Sequence, residues 1–376
     1  LGSCRLRVAA RATIPRCRLD AIVISRCIGP KVTARQISTY TIFGFAGYGA
    51  ANLLAIALGV AWELTLAERL ITFLAPPVAF LIVVTIASAI AKTERIVFYQ
   101  TACAGLGAVV AAGAIAGVRI PVMLDVATLG IGTFLVFGRI GCLSVACCHG
   151  TLGRGVVYGP AHVAVGFWAR WSGRPLWPVQ AVESVASAAL VAIALGLGDA
   201  PGEPTAIYLV GYAIVRFGLE LVRGDGARPY AWGLSEAQWV SLATTIAVVL
   251  WHPGLLAVLA AGLVAIAAAL VITTRRAREL FQPPHLRALD RAMAAAGDGT
   301  RHETPLGVAV SCHPLPNGKV DWVLSSTHPR WSEATCRRLA RVMWPEWQLV
   351  VGKTPGVMHV VVPAEIAARF EHQTSP

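Results

Sequence analysis

The sequence predicts an all-α polytopic membrane protein of seven to eight transmembrane helices, followed by a small C-terminal α+β domain. Three observations carry this. Of 376 residues, 56% are hydrophobic and only 14% charged. An ordinary soluble domain has about 25% charged residues, so this chain lacks the charge to cover two or three soluble domains. Second, eight stretches between residues 40 and 274 are apolar over about the 20 residues that cross ~30 Å of hydrocarbon. Third, after Thr274 the chain turns polar and alternates strand-like runs with turn residues. The same composition excludes disorder, coiled coil and collagen.

The net charge of +12 raises the question of nucleic acid. Its distribution answers it: residues 1–39 carry +7, residues 40–274 only +1, and residues 275–376 carry +4. A basic flank beside apolar spans reads as membrane lipid and topology, so no nucleic-acid partner is expected.

Residues 1–37 alternate Arg with small residues and lack the roughly 7–15-residue apolar core of a secretory signal. They are expected to form a disordered basic arm. The spans follow at 40–62, 67–91, 97–118, 122–141, 179–198, 206–223, 233–251 and 254–274. Pro76-Pro77 should kink the second. The turn His252-Pro253-Gly254 makes 233–274 a helical hairpin. Segment 142–178 is the longest interruption and carries Trp168, Trp171 and Trp177, aromatics that suit a membrane–water interface. A partly interfacial loop with a short helix near 161–171 is expected.

Residues 38–274 thus form the membrane domain, closed by Arg275, Arg276 and Arg278. Residues 275–304 read as a linker, alanine-rich and helical, and 305–376 as a small α+β domain of unknown role. Within it, strands at 307–311 and 320–325 join through Pro316-Asn317-Gly318. Ser332 caps a helix over 332–343, and strands at 347–352 and 357–362 flank Thr354-Pro355-Gly356.

An ionisable side chain at membrane depth costs at least ~2.5–3.5 kcal/mol, so each one needs a reason. Arg216, Glu220 and Arg223 recur at offsets of four and three, on one helical face, and Tyr212 extends that face. Two arginines around one glutamate form either an ion-pair ladder completed by Asp125 or Glu183, or an anion site in which Glu220 orients two guanidinium forks suited to phosphate. Arg139, between Gly138 and Gly141, is either a snorkelling helix-end residue or a second inward arginine beside close-packed backbone. Together the two features make a phosphate-headed lipid the natural ligand. Gln180 and Glu183 open the next span, where a carboxylate also suits the helix dipole. Ser235 and Gln238 have capping-box spacing.

The nine cysteines are odd in number and scattered, so they form no disulfide scaffold. Cys142, Cys147, Cys148 and His149 are dense enough for chemistry. They contain no Cys-x-x-Cys pair, however, and a second half-site would be needed. Packing or a partial disulfide is the reading, with a reactive thiol as the alternative. No metal and no cofactor are assigned.

Four motifs occur in order on the spans: Gly138-Arg139-Ile140-Gly141; Pro178 with Gln180 and Glu183; Arg216 with Glu220 and Arg223; and Gly233-Leu234-Ser235 with Gln238. Over residues 38–252 the chain resembles bacterial prolipoprotein diacylglyceryl transferases. The resemblance implies a multi-pass enzyme of the bacterial inner (plasma) membrane. Such an enzyme would move a diacylglyceryl group from phosphatidylglycerol to the lipobox cysteine of a preprolipoprotein, making a thioether. It implies that Arg139 holds the lipid phosphate, that Arg216, Glu220, Arg223 and Tyr212 form a second polar face, and that Asp125, Gln180 and Glu183 support it.

The chain departs from the family pattern at two places. Cys142, Val145 and Cys147 stand where the family has Asn, Asn and Glu. Tyr99 stands where a His-Gly-Gly motif supplies a base for the thiol. A tyrosine with pKa near ~10 is a poor base at neutral pH, and His149 is the candidate substitute. A relative using another acceptor, or a non-catalytic lipid-binding or transport protein, is the alternative function. Family topology puts the loop after Arg139 outside the cell, whereas the count of loop arginines puts it inside.

Overall fold

The computed structural model describes residues 39–92, 97–226, 228–296 and 299–371. The expected basic arm, residues 1–37, lies outside the described residues. Eight long helices come first: α1 Thr39–Ala61, α2 Leu66–Ala91, α3 Phe98–Ala116, α4 Ile120–Ser144, α5 Val179–Leu197, α6 Glu203–Glu220, α7 Glu236–Trp251 and α8 Leu255–Thr273. Among the described residues, six of them, α1 to α5 and α8, are long and apolar enough to cross a membrane. The stretches expected as spans at 206–223 and 233–251 are helical but do not qualify. The first carries Glu203, Arg216 and Glu220, and the second has 16 residues. The expected seven to eight spans therefore become six by length and composition.

Local chemistry fixes the helix ends. Thr65 and Glu68 form a capping box at the start of α2, and Arg119, just before α4, grips the same buried carboxylate at 2.8 Å. Ser235 caps α7 reciprocally with Gln238, as the spacing predicts. Helix α2 runs as one element through Pro76-Pro77. There it passes so close to α3 that a Cβ on Gly105 would lie 3.4 Å from Pro76 Cα.

Helix α4 is the centre of the bundle, packed against α1, α3, α5 and α6, with an unbroken buried run from Val122 to Gly130. Small residues permit this: a Cβ on Gly132 would lie 2.6 Å from the Tyr208 ring. Ser184 and Ser187 of α5 donate to the backbone carbonyls of Val136 and Gly132 at 2.8 and 2.9 Å. Ile90, Ile115, Leu250 and Leu255 are over 70% exposed. In water each would forgo about 1.5–3 kcal/mol of burial; against lipid tails none is lost. The helices keep their buried charges inside and turn large apolar side chains outward.

The loop after α4 is more structured than expected. Strand β1 (Leu152–Val157) pairs antiparallel with β2 (Pro175–Leu176). The short helix expected near 161–171 is reduced to single turns at Pro160–Val163 and Ala169–Trp171. Trp168 and Trp171 are buried rather than interfacial, while Trp177 stays half-exposed. The buried pair packs in one apolar cluster with the C-terminal region.

After α6 a two-residue pair, β3 (Tyr230–Ala231) with β4 (Leu234–Ser235), leads into α7. Beyond α8, helix α9 (Pro283–Ala295) precedes an antiparallel sheet. Its strands are β5 (His302–Glu303), β6 (Val308–Pro314), β7 (Lys319–Ser326), β8 (Gln348–Val351) and β9 (Val357–Pro363), in the order β5-β6-β7-β9-β8. Helix α10 (Glu333–Met343) is capped by Ser332, whose hydroxyl accepts from Thr335 N at 3.2 Å. Helix α11 (Ala364–Glu371) closes the region.

The stretch expected as a linker therefore contains α9. Its Leu286, Leu289 and Met293 share a core with Val310, Leu324, Leu339 and Val360 of the sheet region. Asp290 of α9 pairs with buried Arg170 and accepts from Trp168 Nε1 at 2.6 Å, so the region is fastened to the loop after α4.

Candidate active site

The site forms where the C-terminal end of α4, the start of α5 and the end of α6 converge. Glu183, 1% exposed, is its hub. One carboxylate oxygen lies 2.9 Å from Arg139 Nη2 and 3.9 Å from Arg216 Nε, and accepts from Tyr212 Oη at 2.7 Å. The second carboxylate, Glu220, is 2.6 Å from Arg216 Nη1 and 3.8 Å from Arg223 Nη1, and also pairs with Arg228. Asp225 receives Arg223 through two bonds of 3.0 Å and lies 3.3 Å from Arg228. Four arginines thus meet three carboxylates in a largely buried cluster, leaving one positive charge in excess. Arg139 Nε and Arg228 Nε are buried and have no hydrogen-bond partner among the described residues. A buried donor without a partner costs free energy comparable to a lost hydrogen bond. An anion delivered to these donors would remove that cost and the excess charge together.

The ion-pair ladder weighed from the sequence is present. The ladder is completed by Glu183, and one charge remains over. Asp125 takes no part: it sits about 14 residues, or ~21 Å of helix, back along α4. Its carboxylate accepts from Gly202 N, Thr205 N and Thr205 Oγ1 at 2.7–2.9 Å, so it holds the start of α6. Gly141 allows α1 to approach, since a Cβ there would lie 3.3 Å from Phe43 and Tyr40. Gly138 has only its own helix's Phe134 nearby.

Residues 147–151 are tied to the end of α6. Gly224 N donates to His149 O at 2.9 Å and Thr151 N to Val222 O at 2.7 Å, and Gly150 and Arg223 form a bridge. This brings Arg223 beside Cys148. Gln180 donates to Cys147 O at 2.7 Å and to Tyr158 Oη at 3.3 Å, so it positions the turn rather than touching an arginine. His149 Nδ1 bonds Gly150 O at 2.9 Å and meets Phe167 and Trp171 edge-on. Burial pushes its pKa below the usual histidine value. Tyr99 stands in the first turn of α3, next to Phe98, whose ring lies edge-on to Tyr212 at 6.2 Å.

Sequence reasoning missed Arg228 and Asp225. The available signal was the placement of three charges in a Gly-rich segment directly after α6, which reads as an ordinary polar loop. It also missed that the sulfurs of Cys142, Cys147 and Cys148 come together, all within 4.8 Å of one another.

The family model for prolipoprotein diacylglyceryl transferase matches residues 36–253, which contain every arginine and carboxylate of this cluster. A phosphatidylglycerol–prolipoprotein diacylglyceryl transferase 2 from Clostridium perfringens (strain 13 / Type A) is 33% identical over 112 residues, 28% of this chain and 41% of the relative. The chain thus aligns with less than half the length of that curated relative. No solved structure matches it. With a family match over more than half its length and a bundle of apolar helices around the matched polar cluster, the chain belongs to the prolipoprotein diacylglyceryl transferase family.

Proposed function

We propose that this protein transfers a diacylglyceryl group from phosphatidylglycerol to the lipobox cysteine thiol of a preprolipoprotein, as a multi-pass enzyme of the bacterial inner membrane. The observation that carries the reading is the buried arginine cluster with one charge in excess and Arg139 Nε unpartnered among the described residues. The reaction is a substitution at the glycerol carbon that bears the phosphate. A carbon–sulfur bond forms, the carbon–oxygen bond breaks, and its electron pair leaves with glycerol phosphate. Negative charge grows on the phosphate as that bond breaks, so fixed guanidiniums bind the transition state more tightly than the ground state.

Arg139, Arg216 and Arg223 supply that charge. Glu183, Glu220 and Tyr212 hold the guanidiniums, and Gly138 and Gly141 shape the helix around Arg139. Gln180 sets the adjoining turn, and Asp125 acts at a distance by fixing α6. Tyr99 and His149 are the candidates to assist the acceptor thiol. Tyr99, standing where a base is expected, gives the alternative acceptor its specific support. We also propose that α6 and α7 cross the membrane with the other six helices.

The test is the purified full chain incubated with phosphatidylglycerol and a lipobox peptide, read by mass spectrometry for the diacylglyceryl thioether. A thioether formed by the native chain and lost in Arg139→Ala supports the proposal. A folded, lipid-binding protein that forms none overturns the lipobox assignment.

A further inference from the structure

The turn after α4 is built in an unusual way. Ala146 and Cys148 both take left-handed backbone angles, φ 59° and 54°, where a residue with a Cβ is disfavoured and glycine is the usual choice. Strain of this kind persists only where the surroundings enforce it, and it collects at functional sites. Here the enforcement is visible. Gln180 holds the Cys147 carbonyl at 2.7 Å, and the backbone of Val222 and Gly224 holds the next residues. The result of the strain is that three sulfurs, none in a disulfide, gather within 4.8 Å of one another.

We propose that Cys142, Cys147 and Cys148 bind one thiophilic d10 ion of the zinc class through three sulfurs, leaving its fourth position open to the acceptor thiol. The distances suit this. Three sulfurs at about 2.3 Å from a tetrahedral ion lie roughly 3.8 Å apart, so the observed triangle needs a contraction of no more than about one ångström. The donor set is soft, which selects zinc or copper(I) over magnesium or calcium. Three thiols also favour an ion over a disulfide, because a disulfide would leave one sulfur over. The Gly150–Arg223 bridge holds Arg223 beside this turn.

A three-ligand zinc site keeps its fourth position for water or substrate, and a thiol that coordinates there is deprotonated. The second half of the proposal rests on the transferase reading, and it supplies what Tyr99 does not, a means of making the acceptor a thiolate at neutral pH. The step balances. The thiol proton leaves on coordination. The sulfur electron pair then forms the bond to the glycerol carbon, the carbon–oxygen pair departs on glycerol phosphate, and that product takes up the proton. No oxidant or reductant is needed.

The test uses the full chain in detergent, stripped with a chelator and dialysed against zinc. The native chain and Cys103→Ser should each retain about one zinc per chain by elemental mass spectrometry, and Cys142→Ser, Cys147→Ser and Cys148→Ser should lose it. If a serine variant unfolds, cobalt(II) in the native chain decides: a sulfur-to-cobalt charge-transfer band with the intensity of three thiolates supports the site, and its absence overturns it. Zinc retained equally by all three serine variants overturns it, as does a disulfide joining Cys142 to Cys147 or Cys148 in the unreduced protein. Thioether formation that needs zinc supports the open fourth position. Transfer at an equal rate by the stripped protein overturns the acceptor role alone. Zinc bound with no transfer overturns the transferase reading and leaves the metal site standing.

Discussion

Glu183→Gln tests whether the buried cluster is held as the distances suggest. Glutamine has nearly the shape of glutamate and keeps an oxygen for the Tyr212 hydroxyl, now at 2.7 Å, but it lacks the charge. Arg139 at 2.9 Å and Arg216 at 3.9 Å both lose a buried counter-charge. Arg216 keeps Glu220 at 2.6 Å, whereas Arg139 has no second carboxylate among the described residues. Removing one partner of a buried pair costs about 3–5 kcal/mol, because the survivor is left charged and unpaired. That is roughly two to three and a half orders of magnitude in the folding equilibrium at about 1.4 kcal/mol per decade. The assay is unfolding of the detergent-solubilised chain, with Arg139→Met and the double variant Arg139→Met/Glu183→Gln completing a cycle. The single charge removals should each unfold early, and the double should recover most of the loss. A Glu183→Gln protein as stable as the native chain would refute the hub. So would a double variant whose loss equals the sum of the singles.

Two further outcomes follow from the same geometry. Asp125→Asn should lower the unfolding midpoint by an amount equivalent to about 1–3 kcal/mol, because three hydrogen bonds to the start of α6 lose their charged acceptor; an unchanged midpoint would show that α6 does not depend on it. Acidification should loosen the loop after α4 and the C-terminal region, because burial pushes His162 and His285 below the ordinary histidine value of about 6.5. The unfolded chain then takes up protons first, so this stability is present above about pH 6.5 and is lost as the pH falls through the lower folded-state values. Hydrogen exchange at the amides of 158–167 and 280–290 would measure it, and equal protection at pH 7.5 and 5.5 would refute it.

The fold class and the polar residues of the site were legible in the sequence for one physical reason. Lipid makes a buried charge so costly that Arg139, Glu183, Arg216, Glu220 and Arg223 stand out from their apolar surroundings. What was not legible lies where that rule does not apply. Trp168 and Trp171 read as interface anchors, because their burial depends on α9 docking from more than a hundred residues away. Asp125 read as a site residue, because its type is as rare as the arginines; only the register of α6 against α4 shows it at the far end of the helix. The three thiols carry no spacing signature. They converge because two non-glycine residues adopt left-handed angles, which no sequence pattern announces.

The same register bears on how many helices cross the membrane. Helix α6 starts at the Asp125 end of α4 and, through Glu183, finishes at its Arg139 end, so it runs alongside α4 although its charges disqualify it by composition. Its 18 residues span about 27 Å. Helix α7 starts beside the arginine cluster and ends with Trp251, whose ring would meet a Cβ on Gly202 at 3.1 Å; it therefore returns to the Asp125 end over about 24 Å. On the proposed eight crossings, α5 to α8 make four between the loop after α4 and the C-terminal region. An even number is what the Arg170–Asp290 pair requires, since it joins the two on one side of the membrane. Seven spans, with three crossings in this interval, would put them on opposite sides. The exposed positions Arg154, Asp199 and Lys353 can be made cysteine one at a time and treated with a membrane-impermeant thiol reagent in intact cells, against the native background. Arg154→Cys and Lys353→Cys should react from one side and Asp199→Cys from the other. Arg154→Cys and Lys353→Cys reacting from opposite sides would rule out the eight-crossing arrangement and the docking of the C-terminal region with it.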